Sequence, residues 1–519
     1  MKNIIKITIL LLVMLAGCSE EFLDIEPKDR ANEAAFYKTA DHAEQAVTAA
    51  YDPMKHPTLF NVNFFYMFTS WSDHSRHENR GFEQFNFDAS NSYVTFTYAW
   101  LAKGVYRANN AIEKIPPIEM DEDLKTRLLG EAHFLRAFYN FYLTFIYYEP
   151  PLVTEVLTDI AVNLTNSTRE AFMQQIASDL EYAIDVLPEQ YDSKNVGRAT
   201  KGAALALLGK AYLYNQQWDL AKEHLQQVAA LEEQGVYSLM MPQGNDSLDY
   251  IFAYLSNFSE VDLVSPNATY DSENNAESIF EVQFEEGGWE AWEGGWQADG
   301  SLTSTYYGPF QFKNLVPTAA FVDQYEEPET HPAGLEYDPR RYATIYEEGD
   351  IILMKNGDEI AWQWFLHTNT AITDEYGYQK YYYPAHPSGP DGYNNDPNNL
   401  RIIRYADVLL MLAEADFHLN GETSTTLALE SINKVRSRAG LEPVTEVTRE
   451  VIMHERAIEM HFEWSRFFDV VRWSLLPNPW TNPEELMPGF EKGQNEYLPI
   501  PQREIDLSDG ELKQPWWNN

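Results

Sequence analysis

The feature that most constrains this chain is a long run of helical periodicity in its N-terminal half. From Asp41 to about Leu239, apolar residues recur at three- and four-residue spacing, which is typical of helices that bury one face. The pattern predicts six helices, at Ala40–Lys55, Phe96–Ile115, Asp121–Tyr148, Thr168–Leu187, Lys201–Tyr214 and Trp218–Glu232. The chain is therefore expected to be mainly α.

Two of the predicted helix pairs are similar to tetratricopeptide repeats. In Lys201–Tyr214 and Trp218–Glu232, small and large residues occupy the positions at which two antiparallel helices mesh; these residues are Leu208, Gly209, Tyr212, Ala221 and Leu225. A second pair runs from Asp407 through Arg438 and repeats the pattern with Ala413, Ala428, Ile432 and Val435. We predict a tetratricopeptide-like helical-repeat scaffold.

Between residues 240 and 400 the helical periodicity is lost, and Pro, Gly, Asn and Trp become frequent. The runs Ser278–Phe284 and Ile360–Phe365 alternate like short strands. A structureless run of this length is improbable in a compact domain, so we expect an irregular, loop-rich lobe that packs on the helices. The predicted organisation is 1–17 signal peptide, 18–239 N-terminal helical region, 240–400 aromatic-rich lobe and 401–519 C-terminal region completing the scaffold.

The N-terminus is typical of a bacterial lipoprotein signal. Lys2 and Lys6 precede an apolar stretch, Ile7–Ala16, that is half the length needed to span a membrane. Leu15-Ala16-Gly17-Cys18 resembles the lipobox, in which the signal is cut before a cysteine that is then lipidated. Cys18 is the only cysteine of the chain, so we predict that it carries the lipid anchor. The alternative is ordinary secretion with a chance cysteine.

Charge and cysteine content exclude several classes of function. The chain has 37 basic and 80 acidic residues, for a net charge of −43. Binding to phosphate backbones or anionic membrane surfaces needs clustered Lys and Arg, so neither is expected as a general partner. A single cysteine also excludes an intramolecular disulfide and any Cys-rich metal site.

A series of motifs follows in fixed order along the chain. Those in the C-terminal third are Arg404–Ala415, Ile432–Leu441, His454–Met460, Arg466–Trp473 and Tyr497–Pro501. Those before it are Phe22–Pro27, Asn109–Ile115, Gly130–Ala137 and Asp338–Arg341. Together they resemble the SusD/RagB family of outer-membrane lipoproteins from Bacteroidetes. The chain departs from the family in two places: Tyr147-Tyr148-Glu149-Pro150-Pro151 stands where the family usually has a Gly-Asp turn before its proline, and Trp464 replaces a usual glycine in the late helix.

The resemblance implies a non-catalytic, cell-surface glycan-binding protein. Such a protein sits as a lid on a SusC-like TonB-dependent transporter and hands it an oligosaccharide or polysaccharide. Glu20-Glu21 resembles the signal that sends such lipoproteins to the outer face of the outer membrane. Two alternatives stay open: a helical-repeat scaffold or lid that binds a non-glycan nutrient or a protein, and a surface glycoside hydrolase.

A glycine- and tryptophan-rich segment is the first candidate for the glycan site. Gly287-Gly288-Trp289 recurs as Gly294-Gly295-Trp296, with Trp292 between them. Glycines let a loop bend so that flat rings face a ligand, and an aromatic face complements the apolar C–H face of a sugar ring. The alternative is that these tryptophans fold back onto the core.

A second candidate lies in the aromatic stretch from Phe60 to Tyr98. Here Trp71 is predicted to stack on a sugar, with Asp73, Arg76 and Tyr93 as hydrogen-bonding or stacking neighbours. Trp100, on a helical face, is expected to lie in the core.

The remaining charged and metal-like patterns favour structure over chemistry. Late-helix charges recur at three- and four-residue spacing, which favours a network of ion pairs over paired catalytic carboxylates; they are Glu455, Arg456, Glu459, Glu463, Arg466, Asp469 and Arg472. His74 and His77 lack an evident third metal ligand. The oxygen-rich turn Asp391–Asp396 lacks EF-hand spacing, which leaves calcium as an open alternative to a prediction of no cofactor.

Overall fold

The structure is a computed structural model, and it describes residues 36–77, 80–157, 164–259, 270–285, 300–303, 315–347, 350–353, 359–361, 376–382 and 397–516. The N-terminal helices are α1 (Ala40–Tyr51), α2 (Arg80–Glu83), α3 (Ser92–Lys114), α4 (Glu122–Tyr147), α5 (Arg169–Val186), α6 (Lys201–Tyr214), α7 (Trp218–Ala230) and α8 (Ser247–Leu255). The later helices are α9 (Ala319–Val322), α10 (Pro339–Thr344), α11 (Tyr405–Leu419), α12 (Thr426–Arg438), α13 (Arg449–Glu459), α14 (Ser465–Ser474), α15 (Pro483–Leu486) and α16 (Gln502–Leu507).

The long helices form a continuous row in which each packs on the next. The order of contact is α3, α4, α5, α6, α7, α11 and α12, and α1 packs on α3. Gly209 shows how closely α6 and α7 approach, because a Cβ at this position would lie 2.7 Å from a side-chain carbon of Leu225. The prediction of a mainly α scaffold with meshing helix pairs is confirmed. None of the described helices has an apolar run long enough to cross a membrane.

Threonine side chains set where several of these helices begin. Thr168, Thr200, Thr425 and Thr448 each accept a hydrogen bond from the backbone N–H three residues later. Such a cap satisfies one of the N–H groups that a helix leaves unpaired at its first turn. The sequence-based helix bounds differ from the observed ones by at most four residues because periodicity locates a helix better than it locates an end.

Eight short strands accompany the helices: β1 (Ser75–His77), β2 (Ser278–Val282), β3 (Leu315–Pro317), β4 (Ile345–Glu347), β5 (Ile351–Leu353), β6 (Glu359–Ala361), β7 (Tyr376–Tyr378) and β8 (Leu400–Arg404). They form four antiparallel pairs, β1–β3, β2–β8, β4–β7 and β5–β6. The β2–β8 pair joins the lobe to the scaffold, since β8 runs directly into α11. The strand predicted near Ser278 is confirmed as β2, and only the start of the one predicted near Ile360 lies in the described residues, as part of β6.

A buried charge network joins four of these elements, and we call it the Glu459 network. The Glu459 carboxylate is fully buried and bonds Arg340 on α10 at 3.0 Å, Arg404 on β8 at 3.0 Å and Arg438 on α12 at 2.5 Å. Burial alone would raise the pKa of Glu459, but the three guanidinium groups outweigh it and hold the pKa well below its ordinary value. Glu459 is therefore charged in the core, and it binds three arginines that lie far from it in the sequence.

Neighbouring charges of the late helices are paired in the same way. Arg456 donates to Asp407 at 3.0 Å and to Asp469 at 2.9 Å, while Arg472 binds Asp469 and Glu414. The interpretation of the late-helix charges as a structural network is confirmed. The carboxylates among them are buried and each is bound to a cation, so a glycosidic bond cannot approach them.

The two departures from the family pattern share an unusual backbone conformation. Tyr148 has φ +66° and Trp464 has φ +48°, in the left-handed region that glycine enters without steric cost. Trp464 is nevertheless buried, and its ring lies against Phe65 with centroids 4.9 Å apart. The bulky side chain fills the core at a position where the backbone alone would favour glycine.

Candidate functional site

Trp71 belongs to the core. Its side chain is 1% exposed, its indole N–H donates to the carbonyl oxygen of Phe82 at 2.8 Å, and its ring stacks on Phe87 at 4.8 Å. The prediction that Trp71 stacks on a sugar is wrong, because a ring this deeply packed presents no face to a ligand. The residues around it, including Phe467 on α14, come from distant parts of the chain.

Asp73 is held in a two-point ion pair with an arginine of α14. Nε and Nη2 of Arg466 donate to its two carboxylate oxygens at 2.8 and 2.7 Å. Burial would raise the pKa of Asp73, but neighbouring His74 and Arg466 outweigh it and hold the pKa well below its usual range. The carboxylate thus attaches this segment to α14, which differs from the predicted role as an acceptor for sugar hydroxyls.

His74 occupies a buried site that disfavours its charged form. Neither ring nitrogen has a hydrogen-bond partner in the described part of the chain, and the ring packs on Phe321 at 4.3 Å. Burial lowers the pKa of His74 to about 3, against the opposing effect of Asp73, and burial lowers the pKa of His77 to about 4. Among the described residues, no group of three or more metal-ligating side chains is present.

From these two histidines we predict that acid lowers the free energy of unfolding at a higher pH than the one at which the carboxylates titrate. The unfolded chain takes up a proton near pH 6.5, whereas the folded chain does not until far lower pH, so stability falls as pH drops from 6.5 toward 4. Each histidine contributes a loss of up to about 1.4 kcal/mol per pH unit in that window. We expect His74→Phe to unfold with a shallower dependence on pH in urea titrations at pH 7, 6 and 5. If the unfolding free energy of this variant depends on pH as steeply as that of the wild type, His74 is not the buried neutral histidine that we assign.

Tyr93 packs in an aromatic cluster, and Arg76 precedes a residue of that cluster on β1. Tyr93, in the first turn of α3, is half-buried and packs on Phe82 at 5.0 Å and on Tyr66 at 5.7 Å. Tyr66 also contacts His77, which follows the half-buried Arg76 on β1. Both predicted site residues are therefore partly accessible, and Tyr93 is the one whose ring packs in this cluster.

The exposed side of α3 carries aromatic residues that the sequence analysis did not assign to a site. Phe96 is 50% exposed, and Trp100, expected in the core, is only half-buried. With Tyr93 and Lys103 they follow one another at three- and four-residue spacing, so they share one helix face about 15 Å long. We call Tyr93, Phe96, Trp100, Lys103 and the adjoining His56 the α3 aromatic surface. The opposite side of α3 contacts α4 at Gly104, where a Cβ would collide with Tyr139.

Trp100 is sandwiched between an imidazole and an ammonium group. His56 stacks on it with centroids 3.7 Å apart, and Nζ of Lys103 lies 4.0 Å from the ring centroid. Since the imidazole occupies one face, the cation must cover the other. Burial, with a smaller effect of Lys103, lowers the pKa of His56 to about 4, so the stack is a neutral imidazole, an indole and one cation at pH 7. Lys103 is exposed and can leave the indole when a ligand competes for that face.

Trp289, Trp292 and Trp296 lie outside the described residues, but the residues flanking their segment have defined neighbours. Before it, Phe284 lies 5.9 Å from Nζ of Lys55. After it, the carbonyl of Gly300 accepts from the side chain of Asn61, whose oxygen accepts from the N–H of Leu302 at 2.8 Å. Both flanks therefore contact residues 55–61, which include His56 of the α3 aromatic surface.

Comparisons with known proteins agree with this architecture. The model of the SusD family matches residues 265–517, and a model described as starch-binding associating with outer membrane matches residues 21–213. A SusD-like protein of Bacteroides ovatus is 28% identical over 504 residues, covering 91% of this chain and 82% of the relative.

Two solved structures share the fold over nearly the whole chain. A SusD-like protein from Bacteroides fragilis has a TM-score of 0.73 at 24% identity and covers 93% of this chain and 98% of its own. A laminarin-binding SusD-like protein has a TM-score of 0.71 at 26% identity, with 93% and 100% covered. Because the two family models match successive parts of the sequence in order and the fold is shared from end to end, this chain belongs to the SusD family.

Proposed function

We propose that this chain is a non-catalytic glycan-binding lipoprotein of the cell surface. The observation that carries the proposal is the α3 aromatic surface, in which Phe96 is exposed and Tyr93 and Trp100 are partly accessible. Its His56 belongs to the segment 55–61, whose Lys55 and Asn61 contact the two flanks of the segment containing Trp289, Trp292 and Trp296. Exposed rings next to polar groups are what a protein needs to bind the two chemically different sides of a sugar. The laminarin-binding relative, at 26% identity, supports the same class of ligand.

We further propose that the protein works at the outer membrane with a SusC-like TonB-dependent transporter. A lipid on Cys18 attaches the chain to the membrane on the exterior side, and the helical scaffold covers the transporter as a lid that delivers an oligosaccharide or polysaccharide. The match to a family described as associating with the outer membrane supports this location. A scaffold that binds a non-glycan nutrient or a protein remains the principal alternative, and a surface glycoside hydrolase is the second.

The test is calorimetric titration of the detergent-solubilised full chain with laminarin and maltooligosaccharides. We expect binding without release of reducing ends, and at least one of Phe96→Ala, Trp289→Ala, Trp292→Ala and Trp296→Ala should cost about 2 kcal/mol or more, roughly a thirty-fold loss of affinity. Tyr106→Ala is a matched control, because Tyr106 is 54% exposed on the same helix but outside this surface. Urea midpoints of all variants exclude loss of fold.

Each other outcome selects a different conclusion. Wild-type affinity in every variant contradicts the site, failure to bind any glycan in a broad panel favours the scaffold, and reducing ends that accumulate over hours favour the hydrolase. Repeating the titration with EDTA tests the calcium alternative at Asp391–Asp396, for which we propose no role.

A further inference from the structure

A second concave site lies away from the α3 aromatic surface and shares no residue with it. This pocket of about 280 Å³ lies between the end of α4, the start of α5, the end of α6, one side of α14 and the C-terminal tail. Tyr148, Tyr497 and Trp516 form an aromatic wall, with ring centroids 4.9 to 5.1 Å apart. A space of this size, slightly below the usual range of ligand pockets, suits one small ring rather than a chain of them.

Arg169 gives the pocket a cation with unused hydrogen-bonding capacity. Its guanidinium group packs over Phe145 at 4.2 Å and donates from Nη1 to the hydroxyl of Tyr497 at 2.8 Å. Its Nε is buried without a hydrogen-bond partner, and no carboxylate pairs with it in the described ranges. The arginines of the Glu459 network, by contrast, all bind carboxylates. A buried donor without an acceptor is costly, and a ligand anion would satisfy it with a charge-assisted bond.

The carboxylate that also lines the pocket is already engaged. Glu496 accepts from the N–H of Gly493 at 2.7 and 2.9 Å and from the indole N–H of Trp516 at 3.0 Å. Its oxygens therefore position the Trp516 ring and do not pair with Arg169. The pocket thus combines aromatic faces with a guanidinium group that pairs with no carboxylate of the described residues.

The backbone at Tyr148 is unusual, and it brings an aromatic ring to this pocket. Its φ of +66° and ψ of −82° would suit glycine, yet the chain places a tyrosine there and its ring joins the wall of the pocket. Non-glycine residues in such conformations persist where the surrounding structure holds them, and they cluster at binding sites. Tyr148 therefore adds an aromatic surface where glycine would be the easier residue.

We propose that this pocket binds a single acidic sugar residue, a pyranose that carries a carboxylate. Its carboxylate bonds Arg169, and its apolar C–H face lies against Tyr148 and Trp516. The site is distinct from the one in the proposed function, so either can fail without the other.

The test compares methyl glucuronoside with methyl glucoside by calorimetry on the full chain in detergent. We expect the uronate to bind at least ten-fold more tightly, Arg169→Gln to remove this preference, and Tyr148→Gly to weaken uronate binding at least ten-fold. Because glycine accepts the backbone conformation without strain, Tyr148→Gly should unfold at an equal or higher urea concentration than the wild type. This readout separates a binding role from a structural one.

Phe96→Ala, in the α3 aromatic surface, should leave uronate binding unchanged. Equal affinity for the two glycosides overturns the proposal, and so does uronate binding that survives in both Arg169→Gln and Tyr148→Gly. Loss of uronate binding in Phe96→Ala also overturns it, since the uronate would then occupy the other site.

Discussion

Replacing Glu459 with glutamine is expected to lower the free energy of unfolding by about 3–5 kcal/mol, the cost of removing one partner from a buried ion pair. The glutamine side chain keeps the size of the carboxylate but loses its charge. Arg340, Arg404 and Arg438 would then remain in the core with one fewer anion to share, and none of these guanidinium groups can lose its proton to escape the penalty.

Equilibrium unfolding in urea at neutral pH measures this loss, because urea does not screen charges. Glu511→Gln is the matched control, since Glu511 is exposed and should shift stability by less than about 0.5 kcal/mol. A loss below about 1 kcal/mol in Glu459→Gln would show that the other carboxylates of the network neutralise the three arginines without it.

Cys18→Ala should abolish lipid attachment completely. Cys18 is the only thiol of the chain, so no other residue can replace it as the acceptor. Metabolic labelling with a radioactive fatty acid should give no signal in the variant. Because the transporter is a second proposed attachment, release from the membrane fraction should be tested in a strain that lacks it. Continued labelling of the variant refutes the anchor.

The same membranes test the partnership with the transporter. A lid that stays on a barrel should bury on the order of 2,000 Å² or more, so extraction of the wild-type chain in a mild detergent should bring a much larger TonB-dependent protein with it. Recovery of the chain alone under several gentle detergents contradicts the partnership.

Much of the scaffold could be predicted because its signals are local. Periodicity located the helices of the row, and three- and four-residue spacing located the late-helix charges. The motifs that identify the family also lie in this scaffold. Arg136 of Gly130–Ala137, for example, binds Asp179 at 2.6 Å and the side chain of Asn109, a residue of another motif. Motifs of this kind report how the chain folds and carry little information about what it binds.

The site was harder to predict because exposure depends on distant residues. Trp71 and Trp100 both stand in aromatic surroundings in the sequence, yet Phe467 on α14 helps to bury the first while the second remains at the surface against His56. Periodicity placed Trp100 on a helix but could not show which helix face stays uncovered. Only the packing of α3 on α1 and α4 decides that.

The Glu459 network also constrains the order in which the chain can fold. Arg404 and Arg438 of this network also bind Glu277, which lies 127 and 161 positions before them in the sequence. Glu459, the anion that three arginines share, comes still later in the chain. Contacts between neighbouring helices such as α3 and α4 close only a short loop of the chain. The bonds of the Glu459 network, by contrast, can form only when the last quarter of the polypeptide is available. A chain that emerges from the export machinery N-terminus first would thus hold its arginines without their shared counter-ion until almost the end of translocation.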